Sequence, residues 1–168
     1  KDIDGYVSQG PEGEIEIGTG DNDVIIIYKK RTDLSYKVNY LEKGTKEEIH
    51  ESKVVENKTF KDVVKSETEV IDIYGYNYDS VDPEEITITT GENVINIYYT
   101  KKDTKVTVHY YEEGTTNKVS GDVTITNKVF AEYETEAADD VPSKYELIAV
   151  PENAKGTMTE EEIVVTYY

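Results

Sequence analysis

The stretch Val106-Thr107-Val108-His109-Tyr110-Tyr111-Glu112-Glu113-Gly114-Thr115 alternates apolar and polar residues, then breaks at a glycine. Val106, Val108 and Tyr110 fall on one side of a strand, with Thr107, His109 and Tyr111 on the other, because successive strand side chains point to opposite faces. Seventy residues earlier the same design reads Tyr36-Lys37-Val38-Asn39-Tyr40-Leu41-Glu42-Lys43-Gly44-Thr45. A repeat of that length means repeated whole modules, not turns of a solenoid.

Working outward, the same shift places Val24-Ile25-Ile26-Ile27-Tyr28 on Val94-Ile95-Asn96-Ile97-Tyr98. It also pairs Asn57-Lys58 with Asn127-Lys128, and the only two phenylalanines, Phe60 and Phe130. The pair Tyr98-Tyr99 recurs as Tyr167-Tyr168 at a shift of 69. Lys29-Lys30-Arg31-Thr32-Asp33 and Thr100-Lys101-Lys102-Asp103-Thr104 mark the seams. One module is therefore expected at 34–102 and another at 103–168, with 1–33 as the C-terminal part of a preceding repeat. In that fragment Gly5-Tyr6 matches Gly75-Tyr76, and Glu14-Ile15-Glu16-Ile17 matches Glu85-Ile86-Thr87-Ile88. Its isoleucines lack the strands that should cover them, so it is expected to dock on a neighbouring surface or exchange strands with another copy.

Within each module the sequence predicts strand, strand, helix, strand, strand. Val119–Thr126 reads as the return of the first hairpin after the turn residues Gly114-Thr115-Thr116-Asn117. Phe130–Ala138 is rich in helix formers and stops before Pro142. In the middle module Thr59 with Asp62 resembles a capping box, followed by the apolar stripe Phe60, Val63, Val64. The later strands are expected at 146–150 and 162–168, mirrored by 71–78 and 94–100. A helix on one face of a four-stranded sheet is an α+β arrangement. Modules of this size bury only about 60% of their unfolded surface, which leaves no cleft of catalytic size and an open second sheet face.

These residues carry a resemblance. The Val106–Thr115 stretch, Lys144-Tyr145-Glu146-Leu147, Asn153-Ala154-Lys155-Gly156-Thr157-Met158-Thr159 and Val164-Val165-Thr166-Tyr167-Tyr168 resemble a MucBP (mucin-binding protein) domain. Gly75-Tyr76 fits the Gly-Tyr of that family better than Lys144-Tyr145 does. The resemblance implies tandem ubiquitin-like β-grasp modules in an elongated array, on the cell wall of a Gram-positive bacterium. It also implies secretion to the cell surface and host mucin glycans or another host surface protein as partners. Some related repeats bind immunoglobulins.

Composition excludes other classes. The 168 residues hold 36 acidic and 18 basic side chains, a formal net charge of −18. Such a chain repels nucleic-acid phosphates and anionic lipid headgroups. With no cysteine, it has neither disulfides nor a thiol nucleophile. No apolar run approaches the roughly 20 residues of a membrane span. His50 and His109, the only histidines, fall in different modules and form no HExxH or triad pattern, so no enzyme is expected. Gly18-Thr19-Gly20-Asp21-Asn22-Asp23 reads as a turn, with calcium at the Asp21–Asp23 loop as the alternative and no other metal or cofactor. Asp79–Glu85 is a second acidic turn.

Tyrosine, at 15 residues, is the distinctive component. Tyr36, Tyr40 and Tyr110 are expected in the cores. His109, Tyr111 and Tyr98 fall on the open face, where rings can stack on sugars or simply pair across strands. Two functions follow: an adhesin repeat binding glycans through weak multivalent contacts, or a stalk spacing a distal ligand-binding domain. His109 and Tyr111 correspond to Asn39 and Leu41, which favours spacing for the middle module.

Overall fold

The computed structural model describes residues 2–168, which divide into two compact units. One runs to Ile71 and takes in Tyr78–Tyr99; the other joins Asp72–Asn77 to Thr100–Tyr168.

In the first unit, β1 (Tyr6–Ser8) and β2 (Tyr28–Lys30) form a short antiparallel ladder with Tyr6 opposite Lys30. β3 (Leu34–Glu42) and β4 (Glu48–Lys58) make the long hairpin. β5 (Val63–Lys65) leads into a 3-10 turn at Ser66–Glu69, and β6 (Tyr76–Asp82), β7 (Glu85–Thr87) and β8 (Val94–Lys101) follow. The main sheet has the order β4-β3-β8-β6, and β5 pairs with β7 in a separate ladder. β3 and β8 run parallel, with Val38 opposite Ile95 and Tyr40 opposite Ile97. Alternation buries Leu34, Tyr36, Val38, Tyr40, Ile95, Ile97 and Tyr99.

The second unit repeats this plan with β9 (Asp103–Tyr110), β10 (Val123–Lys128), β11 (Glu132–Glu134), β12 (Lys155–Thr157) and β13 (Ile163–Tyr167). Its sheet has the order β10-β9-β13, and β11 pairs with β12. Parallel pairing sets Val108 opposite Val165 and Tyr110 opposite Tyr167. Val106, Val108, Tyr110, Tyr133, Ala154, Met158, Val165 and Tyr167 form one buried cluster.

The expected helix is absent, and with it the α+β, ubiquitin-like β-grasp class. Among the described residues the only helical segment is the 3-10 turn Ser66–Glu69, so the chain is nearly all β. The physical reasons are local. At Thr59 the capping contact does form, its N–H donating to Asp62 Oδ2 at 3.1 Å. However, Lys61 takes φ +67° and closes a turn, after which β-branched Val63 and Val64 enter a strand. Near residue 130, Phe130 is also left-handed, with φ +72°. Glu132, Glu134 and Glu136 then alternate with buried Tyr133 and Thr135, a period of two that suits a strand. In a helix Glu132 and Glu136 would stack like charges on one face. Residues 146–150 form no strand either.

The recurrent Gly-Tyr pair has a steric cause. Gly5, at φ +77°, lies so close to Phe60 that a Cβ would sit 2.4 Å from its ring. Gly75, at φ +82°, stands in the same relation to Phe130. Tyr6 meets Phe60 edge-on at 5.5 Å, and Tyr76 meets Phe130 at 5.7 Å. Only glycine combines that backbone conformation with that approach. Gly5 and Tyr6 thus pack on Phe60 within one unit, while Ile15, Ile17 and Ile25–Ile27 are exposed.

Candidate functional site

The open face of the C-terminal sheet is set by β9. With Val106, Val108 and Tyr110 facing inward, Thr107 and His109 project to the other side, followed by Tyr111. His109 and Tyr111 stack with ring centres 5.5 Å apart and planes 22° from parallel. His109 Nδ1 lies 3.0 Å from Asp122 Oδ1, at ion-pair distance but outside hydrogen-bond geometry. Lys118 Nζ reaches Asp122 Oδ2 at 2.7 Å. The nearby His109 and Lys118 side chains hold the Asp122 carboxyl below the usual carboxylate range. Beside them Thr107 donates to Glu162, and Lys105 lies 3.1 Å from the same carboxylate. That face is polar, with ion pairs around one aromatic stack.

Next to it lies a groove of about 440 Å³, lined by Tyr111, Tyr145, Tyr168, Val119, Leu147 and Ile148 among others. Its floor includes Tyr110 and Tyr167, stacked at 5.6 Å. The Tyr110 hydroxyl donates to Glu136 O at 3.0 Å, and burial raises its pKa. Tyr167 donates to Thr135 O at 2.9 Å. The outer wall is the irregular segment 137–148, tied down where Ile148 N–H donates to Tyr168 O at 3.0 Å. Because this segment forms no strand, it leaves a hollow that the sequence reading did not expect. Lys144 Nζ sits 4.7 Å over the Tyr145 ring, and Glu112, Glu113 and Glu146 line the groove with it.

A second hollow, of about 640 Å³, is lined by Asp122, Glu134, Glu136, Asp139 and Asp140 together with Ser120, which donates to Asp140. Among the described residues no group of three or more histidines and carboxylates is placed to hold a metal ion. The Asp21–Asp23 loop is closed by Asn22, whose amide nitrogen donates to Gly18 O at 3.2 Å and Gly20 O at 2.6 Å.

Of the residues singled out in sequence, His109 and Tyr111 are brought together. Tyr98 belongs to the other unit, beside Leu41 in the β3–β8 ladder. There the place of His109 is taken by Asn39, whose amide donates to Asn96 at 2.9 Å. The ladders also correct the tail alignment. Val94 faces Lys37 and Val164 faces Thr107, so the repeat remains seventy residues to the end. Tyr168 thus matches Tyr98, and Tyr167 matches Ile97. Tyr145, Leu147 and Tyr168 were missed as lining residues; the apolar run Leu147-Ile148-Ala149-Val150 was the available signal.

The model of the MucBP domain matches residues 105–168. No curated protein matches the chain. Among solved structures it is similar to Mub-RV, at 14% identity over 80% of this chain and 96% of that one, with a TM-score of 0.29. The type 2 repeat of the mucus binding protein MUB from Lactobacillus reuteri shares 14% identity, covering 80% and 98% at a TM-score of 0.28. Domains 3–4 of the Streptococcal High Identity Repeats in Tandem (SHIRT) from a cell surface protein share 13%, covering 79% and 96% at 0.28. The module that carries the aromatic groove, residues 105–168, is thus the part of the chain that matches the MucBP domain family.

Proposed function

We propose that this chain is a repeat region of a bacterial surface adhesin, exported to the cell wall, in which the C-terminal module makes weak contacts with mucin-type glycans. The middle module acts mainly as a spacer. The observation that carries this reading is the groove lined by Tyr111, Tyr145 and Tyr168 on the MucBP module. Aromatic faces pack against the apolar faces of sugar rings, while the nearby carboxylates accept hydroxyl protons. Glu112, Glu113 and Glu146 disfavour anionic sugars, so neutral glycans are the preferred class. In the middle module Leu41 replaces Tyr111 and Asn39 replaces His109, which favours the spacer role there.

The test is a glycan array with the whole chain, followed by titration of the best neutral sugar. Tyr111→Ala is expected to weaken binding about tenfold, and Leu41→Ala to leave it unchanged. Absence of binding at millimolar sugar rejects direct adhesion and leaves both modules as spacers.

A further inference from the structure

Val24-Ile25-Ile26-Ile27-Tyr28 and Val94-Ile95-Asn96-Ile97-Tyr98 hold the same place in two repeats, yet only the second is paired along its length and their surroundings are opposite. Ile95 and Ile97 are 0% exposed, covered where β8 runs parallel to β3. Their counterparts Ile25 and Ile27 are 77% and 63% exposed. Ile17 is 79% exposed, whereas its counterpart Ile88 is 0% exposed. Directly after this stretch the repeat plan is already in place: β2, which starts at Tyr28, pairs with β1 as β8 pairs with β6. What is missing is one specific neighbour.

We propose that Val24–Tyr28 is an acceptor strand for the first hairpin of another repeat of this kind, one with the pattern of Leu34–Lys58. The hairpin would lie parallel to residues 24–28, as β3 lies against β8, and its inward residues would cover Ile25 and Ile27. Three observations select this occupant. Both complete repeats use the same parallel pairing, β3 with β8 and β9 with β13. Ile25 and Ile27 hold the sequence places of the buried Ile95 and Ile97, seventy residues apart, yet both are exposed. Charge permits the match: residues 2–27 carry seven carboxylates and no Lys or Arg, whereas Leu34–Lys58 carries five acidic and five basic side chains. An uncovered apolar strand is also a template for wrong pairing, so its natural cover serves solubility.

The experiment extends the whole chain with a second copy of residues 34–70 placed directly before residue 1, which keeps the seventy-residue phase. Amide exchange in Ile25–Ile27 should slow by about a hundredfold relative to the parent chain. Adding the Leu34–Lys58 peptide to the unextended chain should shift the same amide signals, which keeps the proposal testable if the extension misfolds. Replacing Val38 and Tyr40 by Asp within the added copy should abolish the protection. Unchanged exchange in the extended chain together with no shift on peptide addition overturns the proposal. Protection that survives the aspartates also overturns it. A parent chain that is already dimeric by sedimentation, with Ile25–Ile27 protected, overturns it in favour of a second copy as the cover.

Discussion

Tyr36 and Val106 occupy the same place in two repeats, and the cores around them solve the same problem with different chemistry. In the first unit the Tyr36 hydroxyl donates to Glu69 Oε1 at 2.6 Å, and Lys53 Nζ lies 2.6 Å from Glu69 Oε2. Burial alone would push the Glu69 carboxyl up, but the bonds from Lys53 and Tyr36 outweigh it and hold the carboxyl below its ordinary value. The second unit has no such charge. There the Tyr167 hydroxyl donates to Thr135 O at 2.9 Å, and Thr135 Oγ1 donates to Ala154 O at 2.8 Å. One sheet architecture thus tolerates either a buried ionised carboxylate or a neutral network, each with its own hydrogen-bond partners.

The hardest test of that equivalence is Ile97→Ala. Ile97 and Tyr167 fill the same place, and removing the fully buried isoleucine should cost about 2–5 kcal/mol. Hydrogen exchange should show the loss in Leu34–Glu42 amides; a loss of similar size in Asp103–Tyr110 would mean the two cores are not separate in energy.

Glu69→Ala should cost about 1–3 kcal/mol, because the buried Tyr36 hydroxyl loses its acceptor while Lys53 remains half in water. The same group predicts an acid response. Its folded pKa is depressed, so its contribution is complete above about pH 4.3, the ordinary Glu value, and disappears as pH falls through the lower folded value. Acid titration should therefore release protection in Leu34–Glu42 more steeply than in the second unit, and Glu69→Gln should remove that difference. Equal acid sensitivity of Glu69→Gln and the parent would break the contrast.

Tyr167→Phe is the mildest of these changes. It deletes the hydroxyl bonds with Thr135 but keeps the ring stacked on Tyr110, and Thr135 retains Ala154 as a partner. A loss of about 0.5–1.5 kcal/mol is expected, read from thermal melting. A larger loss would show that the neutral network is as demanding as the charged one.

The strands that face a core were legible because alternation and burial coincide, as at Tyr36, Val38 and Tyr40 or Val106, Val108 and Tyr110. Over residues 130–138 composition and period disagree, and period decides the structure. Alanines and glutamates favour helix, yet Tyr133 and Thr135 between glutamates already announced a strand. The doublets Tyr98-Tyr99 and Tyr167-Tyr168 look alike as letters, but the ladder with β9 places them one residue apart. The groove could not be read, because its wall is an irregular segment positioned by contacts such as Ile148 with Tyr168, which no local pattern encodes. The partners of Glu69 lie 16 and 33 residues away, beyond the reach of any local motif.

The parallel pairing of β9 with β13 has a mechanical consequence. The first and last strands of the module lie side by side and run the same way. Tension applied at Asp103 and Tyr167 therefore drags the two strands lengthwise past each other. Their evenly spaced hydrogen bonds bear that load together instead of opening one at a time. Resistance to flow is governed by the rate of forced opening rather than by equilibrium stability. Such a module is built to hold when pulled from its ends, whatever it grips.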